Sequence, residues 1–208
     1  MSNQDFGLCV IITAPKLSYT EVAEVCVRCG VRYLQLREKH LSDRDILSAA
    51  DEILAVTRGT ETLFVMNDRA DLALLAGADM LHLGQDDISI EAARTILGDM
   101  PIGLSTHSLA QAREAIAKSP RYIGFGPIYA TTTKANPDPT VGTDLLRELM
   151  GELGDDSLPV IAIGGIFPEN VECVVSAGAR NICLVRHLME SATCQELERK
   201  IKELQQQL

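Results

Sequence analysis

The sequence predicts an α/β fold in which eight βα units close into a single (β/α)8 TIM barrel. Apolar runs of four to six residues alternate with segments of helical period, and this alternation continues to the end of the chain. The 208 residues divide into eight units of 208/8 = 26 residues, close to the minimum for a strand, a helix and two short loops. No linker rich in Pro, Gly or Ser divides the chain, so residues 1–208 are expected to form one barrel domain.

The eight predicted strands are short apolar runs, and they cover residues 8–13, 33–36, 63–66, 80–83, 102–104, 122–125, 160–163 and 182–185. The predicted helices have helical spacing of apolar residues and cover 20–29, 43–56, 70–76, 90–97, 109–118, 144–152, 169–176 and 194–206. An open, doubly wound sheet is the competing fold. The turn at residues 13–16 after the first strand has no glycine fingerprint for a dinucleotide, which favours the barrel.

One local pattern recurs where helices lead into strands. Cys-Gly-Val-Arg-Tyr at 29–33, Ala-Gly-Ala-Asp-Met at 76–80 and Ala-Gly-Ala-Arg-Asn at 177–181 each place a glycine where a helix would end. A short segment of variable sequence then leads into an apolar strand. The recurrence indicates one βα unit repeated along the chain.

The charge balance excludes several classes of partner. The 29 acidic and 19 basic residues give a formal net charge of −10, the wrong sign for binding nucleic acid or an anionic membrane surface. An anionic small molecule remains open, because a local cluster of Lys and Arg outweighs the average field inside a cleft. We therefore expect small-molecule substrates as partners. The sequence does not decide the oligomeric state and leaves a homo-oligomer open.

The apolar runs and cysteines indicate the compartment. The longest runs are far below the roughly 20 residues that span a bilayer, and no basic segment precedes the first one, so a cytoplasmic protein is expected. The six cysteines lie in apolar segments, as expected for reduced, buried thiols. Cys26 and Cys29 form a C-x-x-C, but it has no second pair and falls at the end of a predicted helix, which favours packing over metal binding.

Charged and polar residues collect directly after the predicted strands, at the end of a barrel where active sites lie. After the second strand, alternation sends Gln35, Arg37 and Lys39 to one side, and an Arg beside a Lys suits a multiply charged phosphate. A solvated strand end paired with Glu38 is the alternative.

Asp68 follows the third strand, and Asp86 and Asp87 follow the fourth. Because neighbouring strands end at the same rim, we expect Asp68 to lie close to Asp86 or Asp87, as in Mg²⁺ sites that use one or two carboxylates. Helix N-capping is the alternative, and for either aspartate taken alone it is the favoured interpretation.

The later strand ends carry anion-binding features. Ser105 follows the fifth strand and could bind phosphate, while Ser108 is placed to cap the next helix, and His82 and His107 are expected to pack or to form hydrogen bonds. The long segment 126–142 after the sixth strand contains Thr131, Thr132, Thr133 and Lys134, and such a loop is a candidate anion lid. Gly164 and Gly165 after the seventh strand, with Val185 and Arg186 after the eighth, occupy the usual phosphate cradle of this fold.

These motifs, taken together and in order, resemble the thiamin phosphate synthase/TenI family. The resemblance rests on residues 35–39 (QLREK), 67–69 (NDR), 82–87 (HLGQDD), 103–107 (GLSTH), 124–134 (GFGPIYATTTK) and 162–166 (AIGGI), and it covers nearly the whole chain. It implies that a pyrimidine methyl diphosphate and a thiazole phosphate combine to give thiamin phosphate and pyrophosphate. The C–O bond would break first, and the thiazole nitrogen would capture the resulting cation.

The resemblance also implies roles for individual residues. Asp68 and Asp87 would hold Mg²⁺ as cofactor, and the diphosphate would be surrounded by Arg37, Lys39, Asn67, Ser105 and Lys134. Gln35 matches the position of a residue that binds the pyrimidine. Thr131, Thr133 and Gly165 match the thiazole-phosphate side, with Val185 and Arg186 beside them.

One departure and two alternatives accompany the resemblance. Many members of the family have a small residue, often Ser, at the end of strand eight, where this chain has Val185-Arg186. This difference is expected to affect the affinity or specificity for the thiazole phosphate.

A thiazole tautomerase would not need the diphosphate and Mg²⁺ residues, and Pro127 stands where the tautomerase has its working His. A non-catalytic protein that binds thiamin precursors on the same barrel is the other alternative.

Overall fold

The computed structural model describes residues 5–131, 138–154 and 158–208. Eight parallel strands pair in sequence order, and the eighth pairs with the first, so the sheet closes into a barrel. The strands are β1 (Gly7–Ile12), β2 (Tyr33–Leu36), β3 (Leu63–Asn67), β4 (Met80–Leu83), β5 (Ile102–Thr106), β6 (Tyr122–Phe125), β7 (Val160–Ile163) and β8 (Asn181–Leu184). The predicted (β/α)8 barrel is confirmed, and the open sheet is wrong.

The helices follow the strands in alternation: α1 (Tyr19–Arg28), α2 (Asp43–Thr57), α3 (Ala70–Ala76), α4 (Ile90–Leu97), α5 (Leu109–Ala117), α6 (Gly142–Leu153), α7 (Val171–Ser176), α8 (Arg186–Met189) and α9 (Cys194–Gln205). α8 is not among the predicted helices, because a single turn lacks the long apolar period that predicts a helix. The predicted eighth strand, 182–185, is one residue too long at its end. The strand ends at Leu184 because Val185 already has helical backbone angles.

Hydroxyl side chains start several helices and so fix where the chain leaves each strand end. The Ser18 side chain accepts a hydrogen bond from the backbone N–H of Glu21, and the Glu21 carboxylate accepts one from the backbone N–H of Ser18, which together form a capping box. Single side-chain caps begin α2, α4, α5 and α9, from Ser42, Ser89, Ser108 and Thr193. The predicted capping role of Ser108 is confirmed.

The barrel interior has an apolar layer toward the amino-terminal ends of the strands. Alternate residues of each strand point inward, and the inward cluster contains Cys9, Ile11, Tyr33, Val65, Met80, Tyr122, Ile161 and Cys183. A larger cluster fills the space between the sheet and the helices. The layer of rings and aliphatic chains makes the barrel a packed core, and it supports the polar residues that follow further along the same strands.

Three of the six cysteines, Cys9, Cys26 and Cys183, are buried as expected, while Cys29 and Cys194 are half-buried. Cys26 is buried and Cys29 half-buried at the end of α1, which agrees with packing, and burial raises the pKa of the Cys26 thiol. The expectation of burial is wrong for Cys173, which is exposed on α7. Among the helices of the described residues, none is long and apolar enough to cross a membrane.

Candidate active site

A cavity opens at the carboxyl ends of the strands, the end predicted from the sequence. It brings together eight of the predicted site residues: Gln35, Arg37, Asn67, Ser105, Thr131, Gly165, Val185 and Arg186. Lys39, Asp68 and Asp87 form a charged cluster beside this cavity. Thr133 and Lys134, with the rest of the predicted lid over 132–137, lie outside the described residues.

Strand geometry explains how the cavity is built. In each strand or directly after it, one residue lies two positions beyond the first inward residue, and these eight residues all line the cavity: Ile11, which also belongs to the apolar layer, Gln35, Asn67, His82, Ser105, Gly124, Ile163 and Val185. Two positions along a strand return to the same face. Four of these eight residues, Gln35, Asn67, His82 and Ser105, are polar, and they place hydrogen-bonding side chains on a rigid floor.

The end of β2 separates its polar residues. Gln35 donates a hydrogen bond from Nε2 to Oδ1 of Asn67 at 2.6 Å, so the Asn67 amide nitrogen keeps its donor hydrogens for a ligand. The carboxylate of Glu38 accepts hydrogen bonds from the backbone N–H of Ala14 and the hydroxyl of Tyr19. Glu38 is thereby engaged away from its neighbours. Within the part of the chain that the structure describes, Glu38 forms no ion pair with Arg37 or Lys39, and Arg37 lines the cavity.

Alternation does not extend through Lys39, since β2 ends at Leu36. Lys39 instead forms an ion pair with Asp68. This contact draws the ammonium toward the ends of β3 and β4 rather than into the line of Gln35 and Arg37. The predicted basic group is therefore split: Arg37 faces the cavity and Lys39 faces the acidic residues.

Asp68 and Asp87 are in side-chain contact with each other, and neither caps a helix. The residue that begins α3 is Arg69, without a side-chain capping bond, and Ser89 caps α4. Asp87 instead accepts a hydrogen bond from the backbone N–H of Gly84 at 2.7 Å. The capping interpretation of the two aspartates is wrong.

The backbone holds Asp68 in an unusual conformation. Its φ is 62°, in the left-handed region that few residues other than Gly, Asn and Asp adopt, and its N–H donates to the carbonyl oxygen of His82 at 2.8 Å. A left-handed residue at a strand end carries strain that persists when the surrounding structure requires it. Here the turn aims the carboxylate toward Lys39 and Asp87.

The two carboxylates titrate differently. Burial alone would raise the pKa of Asp68, but the hydrogen bond from Lys39, with Arg37 nearby, holds that pKa below its ordinary value. Burial and the neighbouring Asp68 raise the pKa of Asp87. Two carboxylates in contact at a half-buried site attract a cation. Within the described residues no cluster of three or more His, Cys, Asp or Glu could hold a metal ion, so these two would need ligands from elsewhere.

The turn after β7 approaches the loop after β6 closely. Gly165 has φ 64°, and a Cβ added there would lie 2.7 Å from the backbone oxygen of Ala130, far too close for a side chain. The backbone N–H of Tyr129 donates to the oxygen of Gly164, and Asn170 Nδ2 donates to the oxygen of Gly165. The pair of glycines is therefore required by close backbone packing beside the cavity.

Two histidines line the cavity, and sequence reasoning had assigned them only general roles. His82 Nε2 lies 2.8 Å from the Ser105 hydroxyl and Nδ1 lies 2.9 Å from the buried Tyr122 hydroxyl. His107 Nδ1 donates to the carbonyl of Gly126, and its Nε2 lies 3.2 Å from an Asp138 oxygen. The expected hydrogen bonding is confirmed. The inward position of His82 could have been found by counting two residues beyond Met80 of the apolar layer.

Comparison with known proteins identifies the family. A family model described as thiamine monophosphate synthase matches residues 9–188, most of the chain. The chain belongs to the thiamine monophosphate synthase family. A relative in this family, the thiamine-phosphate synthase of Chlorobium phaeovibrioides, is 41% identical over 201 residues, which cover 94% of each chain.

Other relatives agree with membership of the thiamine monophosphate synthase family. The thiamine-phosphate synthase of Gloeobacter violaceus is 41% identical over 86% of this chain, and this chain spans about half (52%) of that relative's length. A solved structure, thiamine phosphate pyrophosphorylase from Pyrococcus furiosus, has a TM-score of 0.83 at 29% identity and covers 98% of this chain and 96% of its own. Proteins named thiamine-phosphate synthase or thiamine phosphate pyrophosphorylase are therefore similar to this chain in sequence and in fold.

Proposed function

We propose that the protein is a thiamin phosphate synthase. It joins 4-amino-5-hydroxymethyl-2-methylpyrimidine diphosphate to 4-methyl-5-(2-hydroxyethyl)thiazole phosphate and releases pyrophosphate. The observation that carries the proposal is the contact of Asp68 with Asp87 and Lys39 beside a cavity lined by Arg37 and Ser105. A diphosphate is the anion that can use a metal-binding acidic pair and several cations at the same time.

The proposed reaction is a dissociative substitution. The C–O bond to the diphosphate breaks first, both bonding electrons leave with pyrophosphate, and the pyrimidine amino group stabilises the benzyl-like cation. The thiazole nitrogen then donates its lone pair to that carbon. Such chemistry needs a stabilised leaving group and exclusion of water more than it needs an acid or base.

The residues divide between the two substrates. Arg37, Lys39, Asn67 and Ser105 bind the diphosphate and stabilise the charge that develops on it as the bond breaks, in a set that also includes Lys134. Gln35 orients the pyrimidine from the cavity floor. Thr131, Gly165, Val185 and Arg186 form the thiazole-phosphate side together with Thr133. The local cations explain how a chain of net charge −10 attracts two anionic substrates.

Mg²⁺ is proposed as the cofactor, and Asp68 and Asp87 would hold it. The fit rests on the contact between two carboxylates that do not cap helices and on the raised pKa of Asp87, a cost that a divalent cation would remove. When bound, the ion supplies charge neutralisation to the diphosphate. The chain itself contributes the second source of positive charge, Lys39 paired with Asp68.

The alternative activities are less consistent with these residues. A thiazole tautomerase would have no use for an acidic pair beside Arg37 and Lys39. In this chain Pro127 lines the cavity where the resemblance places the tautomerase's working His. A binding protein without turnover would have no need of the metal site.

A turnover assay tests the proposal directly. The protein is mixed with both substrates, and thiamin phosphate is followed by fluorescence after oxidation to a thiochrome. We expect product with Mg²⁺ and a loss of product with a chelator. Binding of both substrates without any product would contradict the synthase. Equal rates with chelator and with Mg²⁺ would contradict the metal assignment alone.

A further inference from the structure

We infer that Tyr122 is a positioning residue that acts through His82 to orient the hydroxyl of Ser105 toward the anionic substrate. The inference rests on the proposed function, since Ser105 is a diphosphate ligand only there. Tyr122 lies below the cavity, does not line it and is 1% exposed. Any effect of its hydroxyl on turnover therefore passes through other residues.

Three neighbouring strands bring the network together. His82 on β4 pairs in register with Gly103 on β5, and Gly103 pairs with Tyr122 on β6. A Cβ on Gly103 would lie 2.2 Å from a carbon of the Tyr122 ring, so the missing side chain lets the ring cross β5 and reach His82. Ser105 stands two residues beyond Gly103 and faces the same way.

The hydrogen bonds that join Tyr122, His82 and Ser105 have one arrangement of donors and acceptors that satisfies all three side chains. Burial raises the pKa of Tyr122 well above its ordinary value, so its hydroxyl keeps its proton. That proton needs an acceptor. Among the hydrogen bonds of the described residues, His82 Nδ1, 2.9 Å away, is the partner of this hydroxyl.

The direction of the first bond sets the second. If Nδ1 accepts from Tyr122, the neutral ring carries its hydrogen on Nε2, which donates to Ser105 Oγ at 2.8 Å. The Ser105 hydroxyl then keeps its own hydrogen to donate to a ligand in the cavity. The opposite tautomer would make Ser105 donate to His82 and would present only an oxygen lone pair to an anion.

The chain offers a matched pair of variants. Tyr122→Phe removes the hydroxyl that bonds His82. Tyr33→Phe removes a hydroxyl from the adjacent ring, whose centroid is 5.5 Å from that of Tyr122 and which is equally buried. General loosening of the core would affect both variants alike. The proposed relay passes only through Tyr122.

Kinetics separate positioning from packing. Tyr122→Phe should lower kcat about tenfold with KM for the diphosphate nearly unchanged, since the Ser105 bond strengthens as charge develops on the leaving group. Tyr33→Phe should change kcat less than about twofold. In a Ser105→Ala background the Tyr122 substitution should have almost no further effect, because the relay has lost its end point. Independent losses in the double variant would overturn the inference.

Two measurements do not depend on turnover. ¹⁵N NMR of the imidazoles, assigned with His82→Gln, should find His82 protonated at Nε2 in the parent protein and less so in Tyr122→Phe. Calorimetry with inorganic pyrophosphate and Mg²⁺ should give weaker binding for Tyr122→Phe than for Tyr33→Phe. A parent ring protonated at Nδ1 would overturn the inference. If the parent makes no thiamin phosphate yet both results are as expected, the proposed function fails and the relay stands.

Discussion

The carboxylate of Asp68 contacts that of Asp87 while it also pairs with Lys39, and this arrangement forms because Asp68 adopts a left-handed backbone conformation at the end of β3. The pairing accounts for two opposite effects. Lys39 favours the charged form of Asp68, and the charged Asp68 disfavours ionisation of Asp87. This arrangement of charges is the physical basis for the cation proposed at this site.

Asp68→Asn tests the acidic pair. Asn tolerates the left-handed conformation about as well as Asp, so the fold should be retained, while the site loses one of its two carboxylates. We expect turnover to fall by about two orders of magnitude or more, at about 1.4 kcal/mol of activation free energy per decade. The measurements are kcat at saturating Mg²⁺ and the melting temperature. Unchanged kcat with an unchanged melting temperature would remove Asp68 from the metal site.

The sequence predicted the barrel because each strand and helix carries its own periodic pattern and the units repeat. Site residues were found where polar side chains interrupt that pattern in the last residues of strands, as with Gln35 and Asn67. The direction of Lys39 was not predictable, because it depends on where β2 ends and on the turn at Asp68. The roles of His82 and Tyr122 depend on register across three strands, which no local pattern contains.

Arg37→Lys tests whether planar, forked recognition matters at the cavity wall. Arg presents several donors in a fixed plane that matches a phosphate, whereas Lys offers a compact charge. We expect KM for the pyrimidine diphosphate to rise about tenfold, while KM for the thiazole phosphate stays close to that of the parent. The same change at Arg44, which is exposed on α2, is the matched control. Equal, small effects of both variants would contradict a phosphate contact by Arg37.

Gly165→Ala tests the close approach after β7. A left-handed φ by itself costs an Ala residue about 1–2 kcal/mol. The control is Gly59→Ala, which has a φ of 80° and no heavy atom within 4 Å of the added Cβ, so it carries only that conformational cost. At Gly165 the added Cβ also meets the Ala130 oxygen at 2.7 Å, which must displace the loop beside the cavity. We expect a larger loss of stability than for Gly59→Ala and a higher KM for the thiazole phosphate. Equal urea midpoints for the two variants would show that a Cβ at residue 165 does not clash with the loop.

His187 predicts a component of the pH dependence of stability. Burial, and next the nearby Lys200, lower the pKa of His187 below its ordinary value of 6.5, while Glu169 and Glu203 oppose the shift and Arg199 adds to it. The unfolded chain therefore binds the proton more readily than the folded one. The stabilising contribution is complete above pH 6.5 and is lost as pH falls toward the lowered pKa.

His187→Gln should reduce this slope. Urea unfolding midpoints on either side of pH 6.5 should differ less for the variant than for the parent protein. His40→Gln removes an exposed histidine and should leave the slope unchanged. Identical slopes for the parent and His187→Gln would show that another group is responsible.

Arg186→Ser tests the position at which this chain departs from its family. Arg186 begins α8 and lines the cavity beside Gly165, where its guanidinium can add a charge-assisted contact to a phosphate. A contact that is equal in the ground and transition states predicts a KM for the thiazole phosphate raised about tenfold, with kcat little changed. KM for the pyrimidine diphosphate should barely move. Arg199→Ser, which removes an exposed arginine paired with Glu203 on α9, controls for the loss of positive charge. If Arg186→Ser leaves both KM values within about twofold of the parent, the guanidinium does not contact the thiazole phosphate and the departure does not alter that site.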